Sequence, residues 1–332
     1  MSTLPQAQLG TDGPIVSGQG FGAMGISIGY GPTDRDEARA TLEHAAELGV
    51  TLFDTAHSYG DGDNERFLAP FVATHRAELV IATKFGIGHD PDGTLFVRND
   101  ADYIRRCVEE SLSRLRIDQI DLYYMHRRDP RVPIEDTVGT MAELVAAGKV
   151  RHLGLSEVTA AELSAAHAVH PIAAVQSEWS LFSRDIERQV VPMAARLGIA
   201  LVPYAPLGRG LLTGATSVDA RATNDVRNTM TRFQGANAEA NAALLAPLRT
   251  IAAAHDATVA QVALAWLHHR AGVWQTAVVP IPGTRSRTRV EENVAAVTLS
   301  LDEAELATLE PIAEQVIGAR WDGPNFVSSG RE

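Results

Sequence analysis

The chain has 332 residues, 45% of them hydrophobic and 21% charged, which is material for a large core and unlike the composition of a disordered chain. A formal net charge of -12 argues against a nucleic-acid or anionic-membrane surface, since either needs a dense Lys/Arg face. The single cysteine, Cys107, excludes an internal disulfide framework and lies in a helical pattern, where a small buried hydrophobe is expected. The first residues, MSTLPQAQLGTDGP, show neither a basic leader nor an apolar core. No stretch reaches the ~18 uninterrupted apolar residues of a membrane helix, so a cytoplasmic protein is expected.

In chain order, AQLGTDGPIVS (7–17) places a D-G turn between two short runs and predicts a β-hairpin that plugs the bottom of a barrel. Strand patterns then alternate with amphipathic helical patterns. A strand at 18–26 precedes a helix at 34–49, and strand 50–56 precedes helix 64–76. Strands at 79–85, 120–126 and 150–156 are followed by helices at 101–116, 133–149 and 159–170. Strand 173–179 leads to helix 185–198, strand 200–206 to a helical pair within 237–270, and strand 276–282 to helix 287–297. Asp and Thr caps open several helices, and Gly49, Gly148 and Gly198 close three. Eight strands, each followed by a helix, is the count of an α/β protein of the (β/α)8 TIM-barrel type. Without a linker, composition break or internal repeat, residues 1–332 are read as one domain. The stretch 208–235 and the tail from Trp321 are read as long loops on the C-terminal face of the barrel.

Catalytic groups of such barrels sit at the C-terminal ends of strands. The segments FDTAHSYG, ATKFG and YYMHRRDP bring Asp54, Tyr59, Lys84 and His126 to that rim. Carbonyl reduction needs a proton as hydride arrives, and a tyrosine with a pKa of ~10 is a weak acid unless its phenolate is stabilised. Lys84 is expected to lower the Tyr59 pKa, Asp54 to hold Lys84, and His126 to orient and polarise the carbonyl. Late in the chain, IPGTRSRTRVEEN sets Arg285, Arg287 and Arg289 beside a helix start, an arrangement suited to a phosphate.

From GFGAMG to IPGTR the sequence resembles the aldo-keto reductase family. The resemblance is carried by FDTAHSYGDGDNE, ATKFG, DLYYMHR, GKVRHLGLSE, VQSEWSLFSR, YAPLGRGLLTG and IPGTRSRTRVEENV. It implies a catalytic tetrad of Asp54, Tyr59, Lys84 and His126 and reversible reduction of a small aldehyde or ketone with NADPH/NADP+. For the cofactor it implies Ser156 and Gln176 on the carboxamide, Tyr204 on the nicotinamide face, and Leu207, Gly208 and Arg209 under the pyrophosphate. The segment with Gly283 and Thr284 would grip the adenosine 2'-phosphate, with Arg289 on the phosphate, joined by Arg285 or else Arg287, and Glu292 and Asn293 on the adenine. His126 followed by Arg127 looks like the bacterial and plant branch containing pyridoxal and phenylacetaldehyde reductases. Met24, Tyr30, Arg127 and Trp179, with Trp321 and Phe326 of the tail, are candidates for the substrate pocket. Trp179 stands where the resemblance more often shows Tyr. His57 and Ser58 occupy variable positions beside the tetrad.

GFGAMG (20–25) satisfies a dinucleotide fingerprint, but no helix pattern follows until Asp34, so it is read as strand and rim loop. His167 with His170, and His268 with His269, lack accompanying carboxylates or thiols, so no metal site is expected. Glu157 and Glu178 at strand ends could be the paired carboxylates of a glycosidase, a reading that leaves Lys84, Tyr59 and the arginines unexplained. The alternative function is an NADPH-binding redox sensor or regulatory subunit on the same fold with slow turnover. Sequence leaves the oligomeric state open.

Overall fold

The computed structural model describes residues 4–90, 92–214, 221–322 and 327–328. The candidate Phe326 and part of the long loop, 215–220, therefore lie outside the described residues. Strands β1 (Gln6–Gln8) and β2 (Ile15–Ser17) form the antiparallel hairpin expected from the D-G turn. The barrel strands are β3 (Phe21–Gly22), β4 (Leu52–Asp54), β5 (Val80–Phe85), β8 (Ile120–Met125), β9 (Val150–Ser156), β10 (Ile172–Glu178) and β11 (Ala200–Tyr204). They form one parallel sheet in the order β11-β10-β9-β8-β5-β4-β3. Between β5 and β8 lies an antiparallel pair that the sequence patterns do not announce, β6 (Ile87–His89) with β7 (Leu95–Val97).

The expected eighth strand, 276–282, closes the sheet without a full ladder. On one side Leu201 N donates to Ala277 O at 2.8 Å, and Val279 N and Ile281 N donate to Leu201 O and Pro203 O at 2.9 and 3.0 Å. On the other, Pro280 and Pro282 have no N–H to give, yet their carbonyls accept from Gly20 N at 2.9 Å and Gly22 N at 3.5 Å. A Cβ on Gly283 would lie 2.5 Å from Gly22 O. A Cβ on Gly20 would lie 3.0 Å from Leu52 O and one on Gly22 2.8 Å from Ile281 O, so the first two glycines of GFGAMG serve close strand packing, while Gly25 falls in the following helical turn.

The barrel interior is filled by Leu52, Ala82, Leu122, Tyr124, Ala174, Ala200, Val202, Val279 and Ile281. Leu9 and Val16 of the hairpin belong to the same cluster and plug the end where the strands begin. Alternate residues such as Tyr123, Met125, Leu153 and Val175 face outward against the helices. Because both faces are buried, β8 (IDLYYM) is apolar apart from Asp121, whose buried carboxylate is answered by Arg76 at 2.8 Å.

The helices cover 35–47, 63–75, 101–115, 134–146, 160–169, 190–197 and 287–295, close to expectation. Asp34, Asp100 and Thr159 accept backbone N–H bonds as caps, while Gly49, Gly148 and Gly198 adopt positive φ of 90°, 73° and 67°. Other boundaries differ. The expected strand 18–26 stops at Gly22, and Met24–Ser27 is a helical turn, held where Ala23 N donates to Asp54 O (2.8 Å) and Asn64 Nδ2 to Ala23 O (3.0 Å). The pair within 237–270 is three helices, Gly235–Ala243, Ala246–Ala254 and Val259–Trp274, and the unassigned Glu303–Leu309 is also helical. The described parts of 208–235 hold three short 3-10 turns rather than a plain loop. No helix among the described residues is long and apolar enough to cross a membrane.

Gly154 in β9 lies under the Tyr124 ring, where an added Cβ would sit 2.3 Å from a ring carbon. Gly154→Ala is expected to overpack the barrel by about 1–3 kcal/mol and lower the melting temperature by several degrees. A thermal melt checks this, and an unchanged midpoint would show that the ring can move aside.

Candidate active site

The barrel brings the four expected catalytic residues to one rim from three neighbouring strands. β4 ends on Asp54, β5 carries Lys84 next to its end, and His126 follows β8, where its backbone N donates to Phe85 O at 2.8 Å. Tyr59 lies on the turn after β4. Its ring stands edge-on to His126 at 5.8 Å and 81°, and the Lys84 Nζ lies 5.2 Å from its centre.

Lys84 is 0% exposed, and its ammonium donates to Asp54 Oδ1 and, at 2.7 Å, to Thr55 O. The other Asp54 oxygen accepts from Gln176 Nε2 at 2.8 Å. Burial pushes the Asp54 carboxyl up, against the downward pull of Lys84 and Gln176. His126 is driven well below the usual imidazole range by burial first, then by the Arg127 and Lys84 charges. It is therefore a neutral imidazole near pH 7, and its Nδ1 is buried without a hydrogen-bond partner among the described residues.

One electrostatic expectation needs correction. Lys84 does pull the Tyr59 pKa down, with help from Arg127, but burial is the larger effect and Asp54 adds to it, so the tyrosine lies above its ordinary value. The phenol stays protonated at neutral pH, loaded as a proton donor. Trp179 is a second correction. It is 0% exposed, packs in the core between barrel and helices, and donates from Nε1 to Glu187 at 2.9 Å, so it cannot line a pocket.

The other pocket candidates are only half-buried. Arg127 donates to His126 O at 2.7 Å and Ser156 Oγ at 3.2 Å. The Tyr30 hydroxyl lies 3.5 Å from Arg209 Nη1 and its ring lies under Arg227, while Trp321 packs against Arg209 at 5.6 Å. Met24 sits in the helical turn after β3, its methyl 3.1 Å from where a Cβ on Gly29 would stand. His57, beside the tetrad, pairs with Glu110 at 2.8 Å.

Among the residues expected at a cofactor, Ser156, Gln176 and Tyr204 end or nearly end β9, β10 and β11. Leu207 leads into a turn where Gly208, Arg209 and Gly210 all take positive φ, of 55°, 54° and 99°. Thr284 Oγ1 accepts from Ser286 N at 3.2 Å. Asn293 is buried, and the Glu292 carbonyl accepts from Gln261 at 3.1 Å.

The three arginines are not equivalent. Arg285 donates to the carbonyls of Tyr30, Gly31 and Pro32 and to Thr33 Oγ1, at 2.8 to 3.4 Å, and so staples the loop before helix 35–47. Arg287 pairs with Glu37 at 3.3 Å. Arg289 is exposed and has no ion pair or hydrogen-bond partner among the described residues. It lies in the first turn of a helix whose Ser286 N-cap makes no side-chain bond.

Sequence reasoning missed what occupies the β9 and β10 ends. Glu157 and Glu178 do not stand as a catalytic pair: Arg320 from the tail lies 2.8 Å from Glu157 Oε2 and 3.4 Å from Glu178 Oε2. A separation of 163 residues leaves no local signal for the Arg320–Glu157 pair. His167 accepts from Ile172 N at 3.1 Å and His268 meets Gln19 at 3.3 Å. No group of three or more possible metal ligands occurs among the described residues.

A buried lysine–carboxylate pair beside a protonated tyrosine and a neutral histidine, at the C-terminal rim of a parallel barrel, is equipped to protonate a carbonyl oxygen. Comparisons with known proteins identify the family. The profile of the aldo/keto reductase family matches residues 20–314. A Glycine max protein named "Probable aldo-keto reductase 1" is 40% identical over 326 residues, covering 97% of this chain and 93% of that protein. A glycerol dehydrogenase from Gluconobacter oxydans has a similar structure, with TM-score 0.83 and 27% identity, covering 99% of this chain and all of that one. An aldo-keto reductase from Bacillus halodurans in its holo form gives TM-score 0.74 at 25% identity, covering 98% and 100%. The chain belongs to the aldo-keto reductase family, whose members are oxidoreductases acting on carbonyl groups and generally using NAD(P)H.

Lys84→Met is expected to leave Asp54 buried without its counter-charge and to destabilise the fold by about 3–5 kcal/mol. Adding Asp54→Asn should recover a large part of that loss in denaturant titrations. A double variant no more stable than the single would show that the pair's charge balance is not what burial of Asp54 depends on.

Proposed function

We propose that this protein reduces aldehydes or ketones to alcohols with NADPH, Tyr59 acting as the proton donor, and that it runs the reverse oxidation at the same site. The observation that carries the reading is the meeting of Tyr59, the buried Lys84–Asp54 pair and neutral His126 on one rim. When bound, the nicotinamide supplies the hydride. Tyr59 gives its hydroxyl proton to the carbonyl oxygen. The Lys84 ammonium stabilises the phenolate left behind, and Asp54 holds the ammonium in place. A neutral imidazole still has one N–H to donate, so His126 orients the carbonyl without competing for the proton. Gln176 is tied to Asp54, which links the carboxamide-binding wall to the ion pair through one residue.

The residues present also fit the adenosine end. A helix start without a side-chain cap, with an uncommitted guanidinium at Arg289, suits a phosphate, and this supports NADPH over NADH. Arg285, occupied by four acceptors in the 30–33 loop, acts here by shaping the wall of that site. Gly283, Thr284, Glu292 and Asn293 complete it.

The deciding experiment is steady-state consumption of NADPH and NADH against aromatic and aliphatic aldehydes, methylglyoxal and pyridoxal. Turnover with preference for NADPH is expected. Tight NADPH binding with no turnover would replace the reductase reading by the redox-sensor one. Tyr59→Phe should cut reduction by about 10²–10⁴-fold and leave NADPH binding nearly intact. With the Tyr59 pKa raised, reduction should hold through neutral pH and fall only when the phenol ionises. Alcohol oxidation, which needs the phenolate, should climb with pH in the alkaline range, and a pH profile with the opposite slopes would remove Tyr59 from its role. Arg289→Ala should weaken NADPH by about tenfold or more with little effect on NADH. An unchanged preference between the two cofactors would take Arg289 out of the phosphate site.

A further inference from the structure

Two buried carboxylates stand where β9 and β10 leave the barrel. Glu157 is 0% exposed and Glu178 2% exposed, and they follow Ser156 by one residue and Gln176 by two. Glu157 takes a positive φ of 55°, uncommon for a residue with a side chain, and its Oε1 accepts from Glu178 N at 2.8 Å. The charges that answer this pair come from elsewhere in the chain. Arg209 lies 3.7 Å from Glu178, and Arg320 spans both, with Nη2 2.8 Å from Glu157 and Nη1 3.4 Å from Glu178. The same Nη1 lies 3.4 Å from the Tyr204 hydroxyl at the end of β11. One guanidinium thus bridges the ends of three consecutive strands, a task suited to its planar fork and unsuited to an ammonium.

The segment that delivers Arg320 is itself anchored. Ile317 exchanges two hydrogen bonds with the Asn241 side chain, at 2.9 Å each, and Arg232 Nε donates to Gly318 O at 2.9 Å. Thr231 N donates to Asp322 at 2.6 Å, and further on Ser328 N returns to Glu157 O at 3.2 Å.

We propose that Arg320 is a positioning residue for the nicotinamide half of the cofactor: it fastens the C-terminal segment across the rim and holds the Tyr204 ring by its hydroxyl. This rests on the NADPH reading, in which Tyr204, Ser156 and Gln176 form the nicotinamide wall. A guanidinium that only stabilised the fold would affect the adenosine and nicotinamide halves alike. One that sets the wall should act on the nicotinamide half alone.

The test measures binding of NADPH, and of adenosine 2',5'-bisphosphate, which lacks the nicotinamide, by calorimetry. It uses the unaltered protein, Arg320→Lys, and the combination Arg320→Met with Glu157→Gln and Glu178→Gln. The combination removes the buried charges together, so none is left unanswered. Both altered proteins are expected to lose at least about fivefold in NADPH affinity while holding the bisphosphate within about twofold. Equal loss of both ligands, or wild-type affinity for both, overturns the assignment. Should the combination not fold, Arg320→Lys decides by the same criterion. If the unaltered protein binds neither ligand, the NADPH reading fails and the assignment falls with it. If it binds both and Arg320→Lys binds both with unaltered affinity, only the assignment of Arg320 fails.

Discussion

A lysine with no exposed surface can keep its charge only beside an anion, and the barrel is arranged around that constraint. Lys84 meets Asp54 across adjacent strands, Thr55 O takes a second of its N–H groups, and Gln176 ties the far carboxylate oxygen to β10 on the opposite side of the barrel. The pair requires β4 and β5 in parallel register, Leu52 opposite Val80 and Asp54 opposite Ala82, because a slip of one residue would turn a charge toward the helices. Strand register, barrel closure and the chemistry of the rim are therefore one problem with one solution.

Closure shows how the fold tolerates imperfect strands when the ladder is supplied from one side. The last strand carries two prolines, and it works because Val279 and Ile281 donate toward β11 while the proline carbonyls accept from Gly20 and Gly22. Glycine at 22 and 283 permits the close approach that this demands. Tyr124 fills the interior over Gly154, and the hairpin seals the other end with Leu9 and Val16. The rim above carries Asp54, Lys84 and His126 on the ends of β4, β5 and β8. On the side of β9 to β11 it is finished by loops and by the C-terminal segment.

Charge is distributed around this mouth with a purpose visible in its pairings. Burial, reinforced by the charges of Arg127 and Lys84, holds His126 neutral, while Glu157 and Glu178 are matched by Arg320 and Arg209. Carboxylates that on another barrel would serve as acid and base are here neutralised in ion pairs, which is why the count of strand-end carboxylates alone says little about the reaction.

The linear sequence by itself determined the alternation of strands and helices, the hairpin, the helix caps and the arrival of Asp54, Tyr59, Lys84 and His126 at one rim, because each is written locally: a period of two or 3.6, a D-G turn, an Asp before a helix, a polar residue at the end of an apolar run. Only the tertiary structure decided the roles that depend on distant partners. Arg285 looked like Arg289 until the carbonyls of 30–32 and the Thr33 hydroxyl claimed it, and Trp179 looked like a pocket residue until Glu187 and the core enclosed it. The Tyr59 pKa turned on burial, which no neighbour in the chain reports. Arg320 carried no signal at all, since what makes it matter is a pair of carboxylates more than 140 residues away in the chain, brought under it by strands that had first to close into a barrel.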